Sequence, residues 1–157
     1  MTPDDSQTAG PKGSQTPHLQ LVTEVQRATH VLGLHLEAAL ADLSLSQAEM
    51  HVLSLLAGSG SMSVTELQRG VRHRPSTLTG ILDRLAARRL VQRRINEADR
   101  RSNLIKLTSE GRAAAGRVAE AMAAIERAVF EHRPPEDHEV FRQILGEIAD
   151  LNRIRPA

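Results

Sequence analysis

Several residue types that carry chemistry are missing from this 157-residue sequence. It has no cysteine, which excludes disulfide bonds, thiolate metal sites, cysteine nucleophiles and thiol redox sensing. Tryptophan and tyrosine are absent, and the two phenylalanines are too few for a surface that binds single-stranded nucleic acid by stacking. No apolar run approaches the ~20 residues of a membrane span, and the polar N-terminus lacks the apolar segment of a signal peptide. We therefore expect a soluble, cytoplasmic protein with no membrane partner.

What the sequence does have is an uneven distribution of charge. The net charge is only +1. Residues 69–106 nonetheless contain ten arginines and one lysine against three acids, whereas the rest of the chain carries nine basic and sixteen acidic side chains. A block with a local net charge of +8 indicates a surface for a polyanion. The alternative is a solvated surface whose arginines pair with acids elsewhere in the fold.

Apolar spacing and helix-capping residues predict a mainly α-helical protein with a small β wing. Residues 1–16 are rich in Ser, Thr, Gly, Pro and Asp and predict a disordered tail. Apolar residues at three-and-four spacing predict a long helix from 18 to about 42, and Ser46 with Glu49 forms a capping box that begins a second helix. The Gly-Ser-Gly-Ser run at 58–61 ends that helix and is interpreted as a linker.

Two short helices follow. A capping box of Ser63 and Glu66 begins one that ends at Gly70, and Pro75 begins the next, which runs to about Arg88. The apolar residues of the second helix are spaced to face inward: Leu78, Ile81, Leu82 and Leu85.

The pattern then changes from helix to strand and back. Runs at 90–95 and 104–107 have the composition of two short strands joined by a polar hairpin tip. Thr108 begins a long alanine-rich helix, which Pro134 and Pro135 break, and the acids that follow favour a last helix.

A capped helix, a tight turn, a second helix and a basic hairpin form the plan of a winged helix-turn-helix. The helix that begins at Pro75 is held by its leucines on one side, so its other side is free to enter the major groove of double-stranded DNA. Short hydroxyl side chains near its N-terminus allow close approach and contacts to base edges. The residues of this side predicted to contact DNA are Ser76, Thr77, Thr79, Gly80 and Arg84, with Asp83 beside them.

Two stretches resemble the MarR family of bacterial transcription regulators. One is STLTGILDRL at 76–85, and the other is the wing, where Asp99-x-Arg101 is followed by a Leu-Thr pair and Gly111. The order of elements matches the family over about residues 18–153.

Two positions depart from the family pattern. Gly80 stands where many members carry a larger polar or basic residue, and Arg89 stands where glycine is common.

The resemblance implies a homodimer on a palindromic operator. Helices in 17–45 and 109–153 would carry dimerisation, and the winged helix-turn-helix at 46–108 would bind DNA. These helical regions are long and apolar on one face, yet they lie outside the winged core that could bury them, which independently favours a subunit interface. The alternative is that they pack on their own chain in a monomer.

The resemblance also implies roles in the wing. Arg101 aligns with the arginine that family members insert into the minor groove, and Asp99 aligns with the acid that orients it; the alternative is a surface ion pair. Arg93 and Arg94 alternate across a strand, so one of them faces DNA, and we predict that it is Arg94. Further contacts are expected from the turn before the second helix and from the hairpin tip: Arg72, His73, Arg74 and Arg100.

No cofactor, metal or catalytic site is predicted. His30 and His35 are five residues apart and His132 and His138 six, whereas ligands on one helix face are four apart. A tetrahedral site would have to gather side chains from several helices. The sequence has no glycine-rich phosphate loop, nucleophile elbow or paired-carboxylate site, so we expect no enzyme.

Members of the family commonly bind small aromatic or anionic effectors in a cleft between the dimer helices and the winged domain. For this chain the resemblance implies a ligand-responsive repressor, with His30, His51 and Arg112 as the polar candidates in such a cleft. The alternative function is a dimeric effector-binding or protein-interaction module that keeps the winged fold without operator binding.

Overall fold

The computed structural model describes residues 17–71, 75–95 and 103–151. Contacts divide the chain into a first unit that ends at Leu34 and a second unit that begins at His35. The predicted fold class is confirmed: the protein is mainly helical with a small antiparallel sheet. The elements are α1 (Pro17–Ala39), a 3-10 turn (Ala41–Leu43), α2 (Gln47–Ser59), β1 (Ser61–Ser63), α3 (Val64–Val71), α4 (Pro75–Ala87), β2 (Val91–Ile95), β3 (Asn103–Leu107), α5 (Ser109–Phe130) and α6 (Pro135–Ala149).

The first unit contains most of α1. Its residues 20–34 are exposed, except for Gly33, which is buried. Six of the exposed residues are large and apolar: Leu21, Val22, Val25, Val31, Leu32 and Leu34.

In the second unit α1 ends at Ala39 rather than near 42, and the 3-10 turn continues the chain to Leu43. Ser44 then takes a left-handed conformation with φ 45°, and its N–H donates to the Ala41 carbonyl. This conformation ends the helical direction before α2 begins.

The core of the second unit lies between α2, α3, α4, the sheet and the first half of α5. Its fully buried side chains include Met50, Leu53, Leu56, Leu67, Leu78, Leu82, Ile105 and Val118. Because Val118 belongs to this core, the first half of α5 packs with the winged region. The predicted division into 46–108 and 109–153 stays a prediction.

Two predicted helix starts are confirmed by their capping geometry. Ser46 Oγ accepts from the Glu49 N–H, and the Glu49 carboxylate accepts from the Ser46 N–H at 2.9 Å. Ser63 and Glu66 form the same reciprocal pair, at 2.7 Å and 3.2 Å. Each box satisfies N–H groups that a helix start otherwise leaves unpaired.

The interpretation of 58–61 as a linker is wrong. Gly58 and Ser59 complete α2, and Ser61–Ser63 forms β1, one of the two edge strands of a sheet with the order β1-β3-β2. Ser61 pairs with Lys106 of β3, and Gln92 of β2 pairs with the same lysine from the other side. A strand of three residues with a single apolar one, Met62, is too short for an apolar alternation to reveal it, so pairing with β3 determines its conformation.

The proline pair separates the last two helices as predicted. Pro134 caps α6 and Pro135 is its first residue. Over its described length α6 has no buried residue. Its exposed apolar residues are Val140, Phe141, Ile144, Leu145 and Ile148.

No helix in the described part of the chain is long and apolar enough to cross a bilayer. Within residues 17–71, 75–95 and 103–151, no three His, Asp or Glu side chains are grouped so that they could hold a metal ion.

Candidate nucleic-acid interface

Helix α4 has one buried side and one exposed side. Four of its side chains are at most 2% exposed, as the sequence predicts: Leu78, Ile81, Leu82 and Leu85. Three hydroxyl residues lie on the exposed side, in the first half of the helix: Ser76, Thr77 and Thr79. Backbone N–H groups at a helix N-terminus attract phosphate. The predicted DNA-facing side of α4 is thus polar and exposed, and the buried apolar residues on the other side hold the helix in place.

Thr79 already uses part of its hydrogen-bonding capacity. Its Oγ1 donates to the Pro75 carbonyl at 3.1 Å. Since a hydroxyl has a single proton, Thr79 can still accept a hydrogen bond but has none left to donate. A base that offers an amino group, or the methyl group of thymine, suits Thr79 better than an acceptor edge does.

Gly80 is half-buried beside these hydroxyls. A Cβ at this position would meet only the Arg84 guanidinium, at an ordinary 3.7 Å. Packing therefore does not require glycine at 80. Its effect is that no side chain protrudes from the exposed surface of α4 at this point.

Arg84, predicted as a DNA contact, has an internal partner. Its Nε donates to Glu49 Oε1 at 2.9 Å, and Glu49 is only 4% exposed. Burial raises the pKa of the Glu49 carboxyl, but hydrogen bonds from the Ser46 backbone, Arg84 and the Ser46 hydroxyl outweigh this, so the pKa lies below its usual value. An ionised carboxylate therefore joins the start of α2 to α4. Contact of Arg84 with DNA stays a prediction.

Arg88 connects the end of α4 to the segment between α1 and α2. Its guanidinium donates to the Ser44 carbonyl at 3.0 Å and to the Leu43 carbonyl. Glu49, Arg84 and Arg88 are hereafter called the α4 clamp. They surround a cavity of about 680 Å³ that Ser44 also lines. The clamp sets the position of α4 relative to the start of α2.

The wing is joined to α4 through Arg93. Its guanidinium contacts the Asp83 carboxylate on α4 at 2.6 Å. Arg93 therefore lies on the face of the sheet toward α4, and Arg94, the next residue along β2, lies on the opposite face. The geometry favours Arg93 over the predicted Arg94 as the strand arginine beside α4.

The turn from α4 into β2 has the geometry of a Schellman motif. The Leu90 N–H donates to Leu85 O and the Arg89 N–H donates to Ala86 O, both at 2.9 Å. Arg89 supplies the left-handed residue of this motif, with φ 56°. Glycine adopts this conformation without steric cost, whereas arginine does not.

Helix α5 begins directly against this turn. The Thr108 N–H donates to Leu90 O at 3.1 Å, and Thr108 Oγ1 donates to Arg89 O at 2.6 Å and accepts from the Gly111 N–H at 2.9 Å. A Cβ at 111 would lie 1.8 Å from Leu90 O. These four residues, Arg89, Leu90, Thr108 and Gly111, are hereafter called the α4–α5 joint. Only glycine at 111 allows so close an approach.

Six predicted DNA contacts lie outside the residues that the structure describes: Arg72, His73, Arg74, Asp99, Arg100 and Arg101. Their roles stay predictions.

The predicted effector-binding residues have different settings. Arg112 lines a cleft of about 670 Å³ formed by the end of α2, the sheet and the start of α5. His51 is exposed on α2 and is not one of the described residues that line this cleft. His30 is exposed on α1, in the first unit. A joint role of the three stays a prediction.

Sequence reasoning missed the positioning roles of Glu49 and Arg88. Glu49 was recognised only as a capping residue. The residues that follow Glu49 in α2 are apolar and buried, which was a signal that Glu49 would be buried with them and would need a cationic partner. Arg88 follows Arg84 by four residues, one helical turn further on and directly after the end of α4, which was a second signal.

Known proteins similar to this chain are transcription regulators. A model described as the MarR family matches residues 45–102. The HTH-type transcriptional repressor YetL of Bacillus subtilis (strain 168) is 31% identical over 138 residues, which cover 87% of this chain and 80% of that one.

Two solved structures share the fold. BpsR of Bordetella bronchiseptica, described with the mechanism by which 6-hydroxynicotinic acid regulates its DNA binding, has 25% identity and a TM-score of 0.69 over 83% of this chain and 99% of that one. A MarR-family transcriptional regulator from Silicibacter pomeroyi has 27% identity and a TM-score of 0.70 over 87% of this chain and 91% of that one.

Proposed function

Because the chain belongs to the MarR family of DNA-binding transcription regulators, which are not enzymes, we propose that it binds a palindromic operator as a homodimer. In this proposal α4 enters the major groove and the wing contacts the adjacent minor groove. The observation that carries the proposal is the exposed hydroxyl edge of α4 within a region of net charge +8. Repression as the outcome is supported by the relative named as a repressor.

Base contacts are assigned to the first half of α4. Ser76, Thr77 and Thr79 are short and exposed there, and Gly80 keeps the surface low. The α4 clamp and the Asp83–Arg93 ion pair hold the helix from two sides. A recognition helix that is fixed in advance loses less conformational freedom when it binds.

Phosphate and minor-groove contacts are assigned to the basic residues around α4. The sequence places Arg72, His73 and Arg74 before the helix and Asp99, Arg100 and Arg101 in the wing. Arg101 would enter the minor groove, oriented by Asp99. Arg84 and Arg94 are kept as secondary contacts, because Arg84 is already bound to Glu49 and Arg94 lies on the sheet face away from α4.

A titration of labelled duplexes tests DNA binding. Thr77→Ala should weaken binding to the operator in the chain's own upstream region by about 1–3 kcal/mol per site and spare a scrambled duplex. Arg101→Ala should weaken both duplexes and reduce the salt slope by about one unit per lost contact. Ser109→Ala removes an exposed hydroxyl at the start of α5 and is the control.

Equal affinity of the wild type for the upstream and the scrambled duplex would contradict the proposal. The protein would then be a dimeric module that keeps the winged fold without operator binding. Wild-type salt dependence in Arg101→Ala would refute the minor-groove role alone.

Dimerisation is supported by large apolar residues of α1 and α6 that are exposed in the described part of the chain. Exposed apolar side chains run along α1 and recur on α6, where Phe141, Ile144 and Leu145 are nearly half exposed. Exposed apolar surface of this extent is typical of subunit interfaces. Light scattering should give twice the 17.2 kDa of one chain, and a value near 17.2 kDa at micromolar concentration would refute the homodimer.

A response to a small aromatic or anionic effector is the last part of the proposal. It is supported by BpsR, whose DNA binding is regulated by 6-hydroxynicotinic acid. His30, His51 and Arg112 are the residues assigned to it, and Arg112 is the one that lines a cleft.

A further inference from the structure

The guanidinium of Arg84 lies back along α4, over the turn that precedes it. Its Nη1 is 3.7 Å from the position that a Cβ would take at Gly80. Long side chains in helices point toward the N-terminus, which accounts for this direction. Thr77, Gly80 and Arg84 are spaced three and four residues apart and therefore form one line along the exposed side of α4. The charged end of Arg84 thus lies beside the hydroxyl residues to which base contacts are assigned.

Glu49 fixes the direction of this guanidinium. Its side chain is 5% exposed and accepts from Arg84 Nε at 2.9 Å. The same carboxylate accepts from the Ser46 N–H at 2.9 Å and from the Ser46 hydroxyl at 3.0 Å. A buried carboxylate held by these bonds cannot rotate freely, so the planar guanidinium bound to it keeps one orientation. Much of the rotamer freedom of Arg84 is therefore lost before DNA binds.

The bond to Glu49 uses only one N–H of Arg84. Under the proposed function Arg84 is a secondary contact for this reason. Its Nη1 and Nη2 form no hydrogen bond with another residue that the structure describes, and the side chain is 58% exposed. The terminal edge of a guanidinium carries two parallel N–H groups that match two neighbouring acceptors. Arg84 can therefore bind a second partner through this edge while it stays bound to Glu49.

Glycine at 80 leaves the space that the guanidinium of Arg84 occupies. A Cβ alone would meet Nη1 at an ordinary contact distance. A longer side chain at 80 would extend toward the guanidinium and compete for its place. Gly80 and Glu49 thus act on Arg84 from two sides, one by leaving space and the other by setting direction.

A guanine base suits the terminal edge of Arg84 better than a phosphate does. In the major groove guanine presents O6 and N7 as neighbouring acceptors, which arginine matches with two hydrogen bonds. A phosphate also accepts two N–H groups, but attraction to the DNA backbone depends on net positive charge. The carboxylate of Glu49 compensates the charge of Arg84 and leaves the direction of its N–H groups unchanged. This pair therefore favours recognition of a base over attraction to the backbone.

We propose that Arg84 determines operator specificity by donating from Nη1 and Nη2 to O6 and N7 of one guanine in each half-site. Glu49 is its positioning residue, because it holds the guanidinium in the direction that this contact needs. The inference rests on the proposed function, since it requires an operator. It adds the base that is recognised and the pair of residues that recognises it.

The test replaces each guanine of the operator in the chain's own upstream region, one at a time, by 7-deazaguanine. This base pairs normally with cytosine but lacks the N7 acceptor. At one guanine per half-site the replacement should weaken wild-type binding about tenfold and weaken binding of Arg84→Gln by less than about twofold. Other guanines should affect both proteins equally. Arg127→Gln, which removes an exposed arginine of α5, is the matched control and should give the wild-type pattern.

Glu49→Gln tests the positioning role. Glutamine can still accept from the Ser46 N–H through its amide oxygen, but it no longer compensates the charge of Arg84. We expect operator binding to weaken about fivefold, and binding of a scrambled duplex to strengthen with a salt slope steeper by about one unit per subunit. A merely structural role of Glu49 would weaken binding to both duplexes together.

Far-ultraviolet circular dichroism verifies that each variant is folded. If Arg84→Gln does not fold, Arg84→Lys replaces it in the scan, because lysine keeps a cation beside Glu49 but lacks the planar two-pronged edge. The coupling to the one guanine should then fall by at least about fivefold.

Three results would overturn the proposal. One is the absence of a guanine coupled to Arg84. The second is equal weakening of operator and scrambled duplex in Arg84→Gln with a reduced salt slope, which would indicate a phosphate contact. The third is an unchanged ratio of the two affinities in Glu49→Gln. A wild type that does not distinguish the two duplexes would refute the proposed function as well, whereas discrimination without a coupled guanine would refute the role of Arg84 alone.

Discussion

Replacing Gly111 by alanine should destabilise the fold far more than an ordinary helix substitution does. Alanine is the best helix former, so propensity alone predicts a gain in stability of about 0.5–1 kcal/mol. The structure predicts the opposite, because the new Cβ would lie 1.8 Å from Leu90 O and 2.8 Å from Leu90 C. Ordinary contacts of this kind are about 3.5 Å long. Either α5 or the turn that ends α4 must therefore move by more than 1 Å.

The loss of stability in Gly111→Ala can be estimated from the contacts of the α4–α5 joint. A displacement of this size strains or breaks the hydrogen bonds that Thr108 makes to Leu90 O, Arg89 O and the Gly111 N–H. Each is worth about 1 kcal/mol, and overpacking against backbone adds about 1–3 kcal/mol. We expect a net loss of about 3 kcal/mol, which for a chain of this length lowers the melting temperature by about 10 °C.

Gly116→Ala is the matched control, since it lies on the same helix and its Cβ would meet nothing within 4 Å. It should raise the free energy of unfolding by about 0.5–1 kcal/mol. The chain has no tryptophan, so urea unfolding is followed by far-ultraviolet circular dichroism at one fixed protein concentration. If Gly111→Ala unfolded at the wild-type urea midpoint or above it, the steric reasoning would be refuted.

Substitutions at three further positions test other features of the structure. Arg89→Gly should raise the free energy of unfolding by about 1 kcal/mol, because φ is 56° at this position and glycine adopts this conformation without strain. Arg89→Ala is the control: it removes the same charge, keeps the strained conformation and should not stabilise the fold. Glu49→Gln should lower the free energy of unfolding by about 1–3 kcal/mol at neutral pH, since it removes the charged partner of Arg84. Because the pKa of Glu49 is lowered in the folded state, its ionised carboxylate stabilises the fold fully above the ordinary pKa of 4.5, and this stabilisation is lost as the pH falls through the lower folded pKa. The urea midpoints of wild type and Glu49→Gln should therefore converge in acid. A difference that stayed constant with pH would contradict this reasoning. Ile144→Asp should shift the light-scattering mass toward 17.2 kDa, and an unchanged dimer would exclude this face of α6 from the interface.

Sequence reasoning succeeded wherever a local pattern determines the local structure. Ser46 with Glu49 and Ser63 with Glu66 are complete capping boxes within four residues, and the inward leucines of α4 follow from helical periodicity alone. β1 could not be predicted in this way. Its three residues are held by hydrogen bonds to β3, which lies some forty residues further along the chain.

The candidate site could be predicted by residue type but not by its internal partners. The exposed hydroxyls of α4 follow from the helical wheel. That Arg84 is bound to Glu49, and that Arg93 rather than Arg94 lies beside α4, depends on tertiary contacts between residues ten and thirty-five positions apart. Charge counting treats every arginine of the basic block as available for DNA. Among the described arginines of this block, Arg84, Arg88 and Arg93 have partners within the protein.

Internal partners also connect α4 to the segment before α2 and to the start of α5. Arg88 holds the C-terminal end of α4 to the carbonyls of Leu43 and Ser44, and the α4–α5 joint holds the turn after it to the first residues of α5. The α4–α5 joint depends on a close backbone approach at Gly111, so a displacement of the start of α5 by an ångström must be followed by the turn after α4 or must break its contacts. The Arg88 contacts are made by a flexible side chain and can follow smaller shifts of the Leu43 and Ser44 carbonyls. The exposed edge of α4, which we propose contacts bases, is in this way connected to the segment before α2 and to the start of α5, and a ligand that moved the start of α5 would change the position of α4 through contacts that are already in place.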